Sequence, residues 1–265
     1  MLAIPPLAPE IIFHIGGFPV TNTYINSTIV LALFVIAGYF LRSRSKEIPD
    51  KLQNFAESIL EVMLGYIDQV TKDRKKSLKF LPVVGTLFLF ILISNWLGIF
   101  PGIGSVGRWL VMHGELELVP IFRPANTDLN TTLAMAVMTI VLTHIFGIVA
   151  VGFFRYANKF VKLGDIWRSL RKGGISIMVA VIEFGVGIIE IFSEIAKMVS
   201  LSLRLFGNVF AGEVLLTVIG SLVAFFVPLP FIALEILVGL IQAIVFSMLV
   251  LVSFTMATAE VHEAH

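Results

Sequence analysis

The run ISIMVAVIEFGVGIIEIFSEIAKMVSLSLRLFGNVFAGEVLLTVIGSLVAFFV, residues 175–227, decides the fold of this chain. It contains no proline and no cluster of turn residues, so it predicts continuous helix. At a rise of about 1.5 Å per residue, one helix of this length is on the order of 80 Å long, whereas the hydrocarbon core of a membrane is about 30 Å thick. The run therefore divides into two spans or lies strongly tilted, and its lack of helix breakers favours a tilted, bent helix.

Four more apolar segments accompany this run, at residues 23–41, 80–100, 129–154 and 231–259. The first three have the length of single membrane spans. The last follows the turn Val227-Pro-Leu-Pro230, so it predicts a long tilted hairpin with the run at 175–227. Because 57% of the residues are hydrophobic and 14% are charged, the predicted fold class is an all-α polytopic membrane protein with a single domain over its 265 residues. The absence of cysteine excludes disulfides and thiolate metal sites.

Basic residues set the predicted topology, since lysine and arginine in short loops mark the cytoplasmic side of a membrane. They cluster in the connections at 42–51, 72–79 and 155–172, which we expect inside. We expect the connection at 101–126 outside, because its charges balance. Those charges are Arg108, Arg123, Glu115 and Glu117. The prediction is five membrane passages with an external N-terminus and a cytoplasmic C-terminus.

The start of the chain bears on its location. The first basic residue is Arg42, so the N-terminus lacks the charged beginning of a secretory signal or a transit peptide. This favours a multi-pass protein of a bacterial plasma (inner) membrane, although a chain encoded in an organelle has the same appearance.

A helix on the cytoplasmic membrane surface is predicted at residues 50–71. Its apolar residues recur at helical spacing: Leu52, Phe55, Ala56, Ile59, Leu60, Met63, Ile67 and Val70. Glu57, Glu61 and Asp68 lie on other faces, which is typical of an amphipathic helix at a membrane surface. Two interpretations stay open, a helix that only orients the spans beside it and a docking face for another subunit.

Charged residues form a stripe along the run at 175–227. Glu183, Glu190, Lys197 and Arg204 are seven residues apart, so they share one slowly drifting face of a helix. Arg204 is the only lysine or arginine after Lys197, and its guanidinium stays protonated at any workable pH. A permanent charge within a membrane indicates a functional site by default. Glu213, nine residues after Arg204, faces another direction.

The returning segment adds polar residues at matching depths. Glu235 and Gln242 are seven residues apart and share a helix face. Folding the hairpin at its proline turn puts Gln242 near the depth of Arg204, and Glu235 near the depth of Glu213. Carboxyl groups that exchange protons inside a membrane are what a proton pathway requires.

Simpler interpretations of the stripe remain open. Glu183 is consistent with a solvated residue at the membrane interface, and Lys197 with a helix-stabilising partner of Glu190 or Glu194. For Arg204 the alternative is a purely structural ion pair, which would keep a costly charge in the membrane without a functional reason.

Four motifs carry a resemblance to a known family. They are KMVSLSLRLFGNVFAGE at 197–213, GLIQA at 239–243, SNWLGIFP at 94–101 and TDLNTTLAMA at 127–136. Together they resemble subunit a of the membrane sector of rotary F-type ATP synthases, in its bacterial form. The resemblance covers nearly the whole chain, and it implies one surface helix, several spans and a long tilted hairpin that curves against a rotating ring of c subunits.

The resemblance also implies roles for individual residues. Arg204 matches the stator arginine that faces the carboxylates of the c-ring, and Asn208 belongs to the same motif. Glu213 and Gln242 match polar residues beside that arginine. Glu235 stands where some relatives have a histidine paired with a glutamate, so here two glutamates replace that pair and the outer proton relay is less certain.

The implied mechanism uses two offset half-channels. Ions enter from outside near Asp128, Glu213 and Glu235, travel round on the c-ring and leave past Glu190 and Glu194. The implied partners are the c-ring, the peripheral-stalk b subunits, the rest of the ATP synthase complex and the lipid bilayer. We expect a non-catalytic subunit with no cofactor, no metal site and no nucleic-acid partner.

Two other functions are consistent with a charged residue inside a membrane helix. A stand-alone ion transporter or channel predicts inverted repeats, which the sequence lacks, and a membrane scaffold predicts that Arg204 is dispensable for ion flux. The string at 102–107 fits G-x-G-x-x-G but follows a membrane span, so a dinucleotide site is not expected. His262 and His265 are too sparse for a metal site. The choice between H⁺ and Na⁺, the c-ring stoichiometry, the source organism and the predominant direction, synthesis or hydrolysis, stay open.

Overall fold

The computed structural model describes residues 5–100, 106–112, 115–161, 175–223 and 226–259. Its seven helices are α1 (Asn22–Ser43), α2 (Lys51–Thr71), α3 (Arg74–Ile99), α4 (Leu129–Val151), α5 (Phe153–Val161), α6 (Ile175–Leu222) and α7 (Pro228–Thr258). Five of these, α1, α3, α4, α6 and α7, are long and apolar enough to cross a membrane. The prediction of an all-α polytopic membrane protein is therefore confirmed.

Helix α6 is one unbroken element of 48 residues. It does not divide into two spans, and at about 1.5 Å per residue it is about 70 Å long, more than twice the thickness of a hydrocarbon core. Helix α7 has 31 residues and begins with Pro228, at the first position where proline costs no hydrogen bond. The two helices form the long hairpin that the turn at Val227 predicts.

The interior of the bundle lies where α3, α4, α6 and α7 meet. Three phenylalanines from three helices contact one another there through tilted rings. Their ring centroids are 5.3 Å apart for Phe80 and Phe146, 5.4 Å for Phe80 and Phe254, and 4.9 Å for Phe146 and Phe254. Edge-on and tilted aromatic contacts of this kind are favourable beyond the area they bury. The surrounding core residues are Val84, Leu87, Ile91, Leu205, Val209, Phe246, Val250 and Leu251.

Polar contacts join the outer ends of the same helices. Asn95 of α3 donates to the carbonyl oxygen of Gly239 on α7 at 3.3 Å, and Trp96 donates to that of Ile236 at 3.1 Å. Asn126, in the 3₁₀ turn Ala125–Thr127, donates to the side-chain oxygen of Asn95 at 2.7 Å. Hydrogen bonds between helices are a main source of specificity where both sides of an interface are equally apolar. They fix the outer loop on the hairpin.

Side-chain caps explain where several helices begin. Thr21 accepts from the amide of Tyr24 at the start of α1. Asp73 accepts from the amide of Lys75, so α3 begins at Arg74, six residues before the predicted apolar segment. Each cap satisfies an amide that has no partner within its own helix.

Two strand hairpins and one short helix were not predicted from the sequence. Strands β1 (Ile11–Ile15) and β2 (Phe18–Thr21) form a hairpin, as do β3 (Gly107–Met112) and β4 (Glu115–Pro120). Helix α4 ends three residues before the predicted limit, because Gly152 adopts φ 94 and turns the chain into the short helix α5. Both strand pairs are short, and their residues are too few to show a clear alternating pattern.

Helix α2 lies close to its predicted bounds. The helix ends at Thr71. The next residue, Lys72, has a φ of 52 in the left-handed region, and the chain turns there directly into α3. Leu64 and Ile67 are buried against the bundle, while Leu52 and Phe55 stay exposed. Near this turn Asp68 pairs with Arg74. A hydrogen bond from Ser77 and the pairing with Arg74 lower the pKa of Asp68.

The close approach of α3 to the outer loop gives a first prediction. A β-carbon on Gly98 would overlap the ring of Pro124, which cannot rotate away, whereas no atom lies within 4 Å of such a carbon on Gly38. We expect Gly98→Ala to lower the free energy of unfolding by about 1–3 kcal/mol, as overpacking of a close contact does. Gly38→Ala is the matched control. Thermal unfolding of the detergent-purified chain measures both, and equal midpoints for the two variants would contradict the packing described.

Candidate functional site

Helix α6 presents two different faces at the level of Arg204. Ser202, Leu205 and Val209 are buried, and the hydroxyl of Ser202 lies 3.1 Å from that of Thr132 on α4. Arg204 and Asn208, one turn apart, lie instead on the exposed face. The contact with Thr132 fixes the rotation of α6, so the guanidinium of Arg204 points away from the bundle.

No residue in the described ranges forms a hydrogen bond or an ion pair with the guanidinium of Arg204. The alternative of a purely structural ion pair therefore has no support in that part of the chain. A permanent charge at membrane depth is costly unless it meets water, a counter-charge or a polar partner. This face of α6 therefore needs water, a counter-charge or a polar partner that the described residues do not supply.

Glu213 is held by a residue of the loop before α4, which the basic residues predict to lie outside. The side chain of Arg123 donates from Nε to both carboxylate oxygens of Glu213, at 3.0 and 3.1 Å, and from Nη2 to Oε2 at 3.0 Å. The Arg123 side chain is only 1% exposed, and that of Glu213 is 18% exposed. Planar guanidinium and carboxylate groups paired in this way form strong, directional hydrogen bonds.

Glu235 of α7 lies beside the same stretch of α6. Its side chain is buried, at 8% exposure, and its carboxylate packs directly against Gly212, where any β-carbon would overlap both carboxylate oxygens. Gly212 therefore permits the close approach of α7 to the residue that precedes Glu213. Glu235 thus meets α6 one residue before Glu213, at the level that the hairpin register predicts.

Asp128 occupies a separate place. It begins α4, where one oxygen accepts from the amide of Asn130 at 2.9 Å and the other accepts from the hydroxyl of Thr23 at 3.3 Å. A cavity of about 440 Å³ opens beside it between α1 and α4. Neither Glu213 nor Glu235 lines this cavity, so the structure does not join Asp128 to the two glutamates.

A second cavity, of about 370 Å³, lies near the opposite end of α6. Its polar lining consists of Glu194 together with His144 and Tyr156, whose Nδ1 and hydroxyl are 2.8 Å apart. Lys197 donates to Glu194 at 2.8 Å, which is one of the helix pairs expected from their spacing. Burial, followed by the charges of Glu194 and Glu190, raises the pKa of Tyr156. Of the two acidic residues of the predicted inner half-channel, Glu194 lines this cavity, and the charge of Glu190 acts on Tyr156, which also lines it.

The remaining predicted residues contribute less to the geometry. Gln242 is half-buried on α7. The side chain of Glu183, His262, His265 and residues 102–105 of the glycine-containing string lie outside what the structure describes. Among the described residues, no group of three or more histidine or acidic side chains is arranged to hold a metal ion.

Three residues of these sites were not identified from the sequence, namely Arg123, His144 and Tyr156. In the sequence Arg123 is only a balancing charge of a predicted external loop, because its partner Glu213 is 90 residues away along the chain. The available signal is its position four residues before the start of the motif at 127–136. His144 lies on an apolar helix and Tyr156 on a helix that was not predicted, so nothing in the sequence connected them.

Comparison with known proteins adds independent information. The family model described as "ATP synthase A chain" matches residues 23–254. "ATP synthase subunit a" of Moorella thermoacetica is 34% identical over 91% of this chain and 92% of its own length. The protein of the same name from Mycobacterium marinum is 33% identical over 94% of this chain and 91% of its own length. "ATP synthase subunit a 2" of a Bradyrhizobium species is 29% identical over 97% of both chains. This chain belongs to the ATP synthase A chain family.

Proposed function

We propose that this chain is the stator subunit a of an F-type ATP synthase, which passes ions through two offset half-channels to and from a c-ring. The observation that carries the proposal is Arg204, a permanent cation on the exposed face of α6 with no partner among the described residues. The membership of the family supports the same role. The chain itself is non-catalytic, and rotation transmits the work to a nucleotide-binding head elsewhere in the ATP synthase complex.

The outer half-channel in this proposal uses Asp128, Glu213 and Glu235. The cavity beside Asp128 supplies an entrance, and Glu235 packs against α6 at Gly212, the residue before Glu213. The inner half-channel uses Glu194, which lines the second cavity, and Glu190, whose charge acts on Tyr156 of the same cavity. Gln242 and Asn208 line the region of Arg204 between the two.

Arg204 acts in this proposal as an electrostatic gate. At about 4 Å and an effective dielectric constant near 20, a pair of unit charges attracts by about 4 kcal/mol, enough to favour the ionised carboxylate of a passing c subunit. Because a guanidinium does not deprotonate, it cannot relay the proton and so separates the two half-channels. Each elementary charge that crosses gains about 2.3 kcal/mol per 100 mV of membrane potential.

The proposed surroundings follow from the same arrangement. The c-ring covers the exposed face of α6 that carries Arg204, and peripheral-stalk b subunits hold the chain against rotation. The exposed apolar residues of α2 offer these partners or the lipid bilayer a contact surface. We place the N-terminus outside and the C-terminus in the cytoplasm of a bacterial inner membrane, from the distribution of basic residues.

The first test removes the charge of Arg204. We expect Arg204→Ala to abolish ATP synthesis driven by a proton gradient, and to increase passive proton leak because the half-channels are no longer separated. Synthesis and leak are measured in inverted membrane vesicles, and pull-down of the c subunit verifies assembly. Unchanged synthesis in an assembled complex would overturn the proposal and favour a scaffold.

A conservative change tests the gate more finely. We expect Arg204→Lys also to abolish coupled synthesis in an assembled complex, because an ammonium group lacks the planar fork and loses its proton more easily when desolvated. The same vesicle assay measures the result. Near-normal synthesis with lysine would exclude the gate mechanism, since it would show that any cation at this position is sufficient.

The contact between Gly212 and Glu235 gives another prediction. A methyl group at position 212 displaces the Glu235 carboxylate, and misplacement by about 1 Å is enough to slow a positioned reaction by about 100-fold. We expect Gly212→Ala to slow proton-driven ATP synthesis at least tenfold, on the same physical ground. Gly220→Ala on the same helix is the control, because no atom lies within 4 Å of its added carbon. Equal rates in both variants would remove Glu235 from the proposed pathway.

A further inference from the structure

Arg123 is the largest fully buried side chain among the described residues. A charged group is buried at a high cost unless hydrogen bonds and a counter-charge compensate for the lost water. All three guanidinium nitrogens of Arg123 have such partners. Nε and Nη2 bind Glu213, Nη2 also donates to the carbonyl oxygen of Pro6 at 2.8 Å, and Nη1 donates to that of Ala8 at 3.3 Å.

The bonds of Arg123 connect three parts of the chain that are distant in sequence. These are the N-terminal segment (residues 5–10), the outer loop before α4, and α6 at Glu213. The guanidinium also lies 6.0 Å from the ring centroid of Phe210, one turn before Glu213 on α6. A rigid planar group with a partner on each of its three nitrogens holds those partners in a single arrangement.

The N-terminal segment is fastened independently of Arg123. The amide of Asn22 donates to the carbonyl oxygen of Glu10 at 3.1 Å, and its side chain donates to Glu10 Oε2 at 3.2 Å and to the carbonyl oxygen of Pro120 at 3.3 Å. The side chain of Asn26 donates to the carbonyl oxygen of Arg123 itself at 2.8 Å. The start of α1 thereby fixes both the segment that covers Arg123 and the backbone that carries it.

We propose that Arg123 is a positioning residue of the outer half-channel, which fixes the Glu213 carboxylate on α6 through the paired hydrogen bonds. This rests on the proposed function of the chain. Both oxygens of Glu213 are engaged by a permanent cation, whereas no described basic residue binds the carboxylate of Glu235, which packs against the preceding residue, Gly212. The two glutamates therefore have different tasks. Glu235 exchanges the proton, and Glu213 is a fixed charge on the facing helix.

The experiment measures proton-driven ATP synthesis per assembled complex in membrane vesicles, with complexes counted by pull-down of the c subunit. The variants are Arg123→Gln, Arg123→Lys, Glu213→Gln and the double variant Arg123→Gln/Glu213→Gln. The matched control is Arg108→Ala, since Arg108 belongs to the same outer loop but donates to the carbonyl oxygen of Ile12 and does not touch Glu213.

We expect Arg123→Gln to slow synthesis per complex about tenfold or more, because Glu213 loses the group that orients it. We expect Arg123→Lys to be faster than Arg123→Gln but slower than the unchanged protein, since lysine keeps the charge and lacks the planar, forked guanidinium. Arg108→Ala leaves the rate unchanged. The double variant is no slower than the slower single variant, because the two residues act as a unit and their effects do not add.

Two results would overturn the proposal. One is an unchanged rate per complex in Arg123→Gln, and the other is additive loss in the double variant. If Arg123→Gln fails to assemble because Glu213 is left unpaired, the double variant removes that charge and is expected to restore assembly; failure of the double variant to assemble contradicts the pairing. Arg204→Ala, measured in parallel, distinguishes a failure of the proposed function of the chain from a failure of the proposed role of Arg123. If it abolishes synthesis while Arg123→Gln does not, only the role of Arg123 is rejected.

Discussion

Hydrocarbon does not solvate an isolated charge, and the rest of this structure depends on how two arginines meet that constraint. Arg123 meets it within the chain, through Glu213 and two backbone carbonyls. Arg204 does not meet it within the described residues and stands on an exposed face. One arginine is therefore satisfied inside the fold, and the other is left on the surface of α6 without a partner among the described residues.

Polar groups along the hairpin are held with different firmness. Near the loop before α4, the bonds among Asn95, Asn126 and Gly239 and the fastening of the N-terminal segment leave few alternative arrangements. Farther along α6, His144, Tyr156 and Glu194 line a cavity of about 370 Å³ instead of filling it. The first group of polar side chains is therefore fixed by direct hydrogen bonds, and the second has space for water around it.

The sequence predicts the membrane spans well because each is an apolar run, and an apolar run is a local property. The continuity of α6 can also be predicted, since it follows from the absence of proline and turn residues between 175 and 227. The strand hairpins and α5 cannot be predicted in this way, because they depend on a few glycines, such as Gly152, and on contacts outside the membrane. The exposed position of Arg204 agrees with its predicted role. The pairing of Arg123 with Glu213 could not be predicted, because an ion pair between residues 90 positions apart produces no periodic pattern in the sequence.

The uninterrupted course of α6 has a mechanical meaning as well as a topological one. An α-helix without proline has no preformed hinge, so its ladder of backbone hydrogen bonds resists bending along the whole element. A lateral force applied near Arg204 is then shared with the contacts at Ser202, Glu213 and Glu235 instead of being absorbed by local kinking. In the proposed rotary role, this stiffness limits the elastic deformation between the binding of an ion and the torque that it produces.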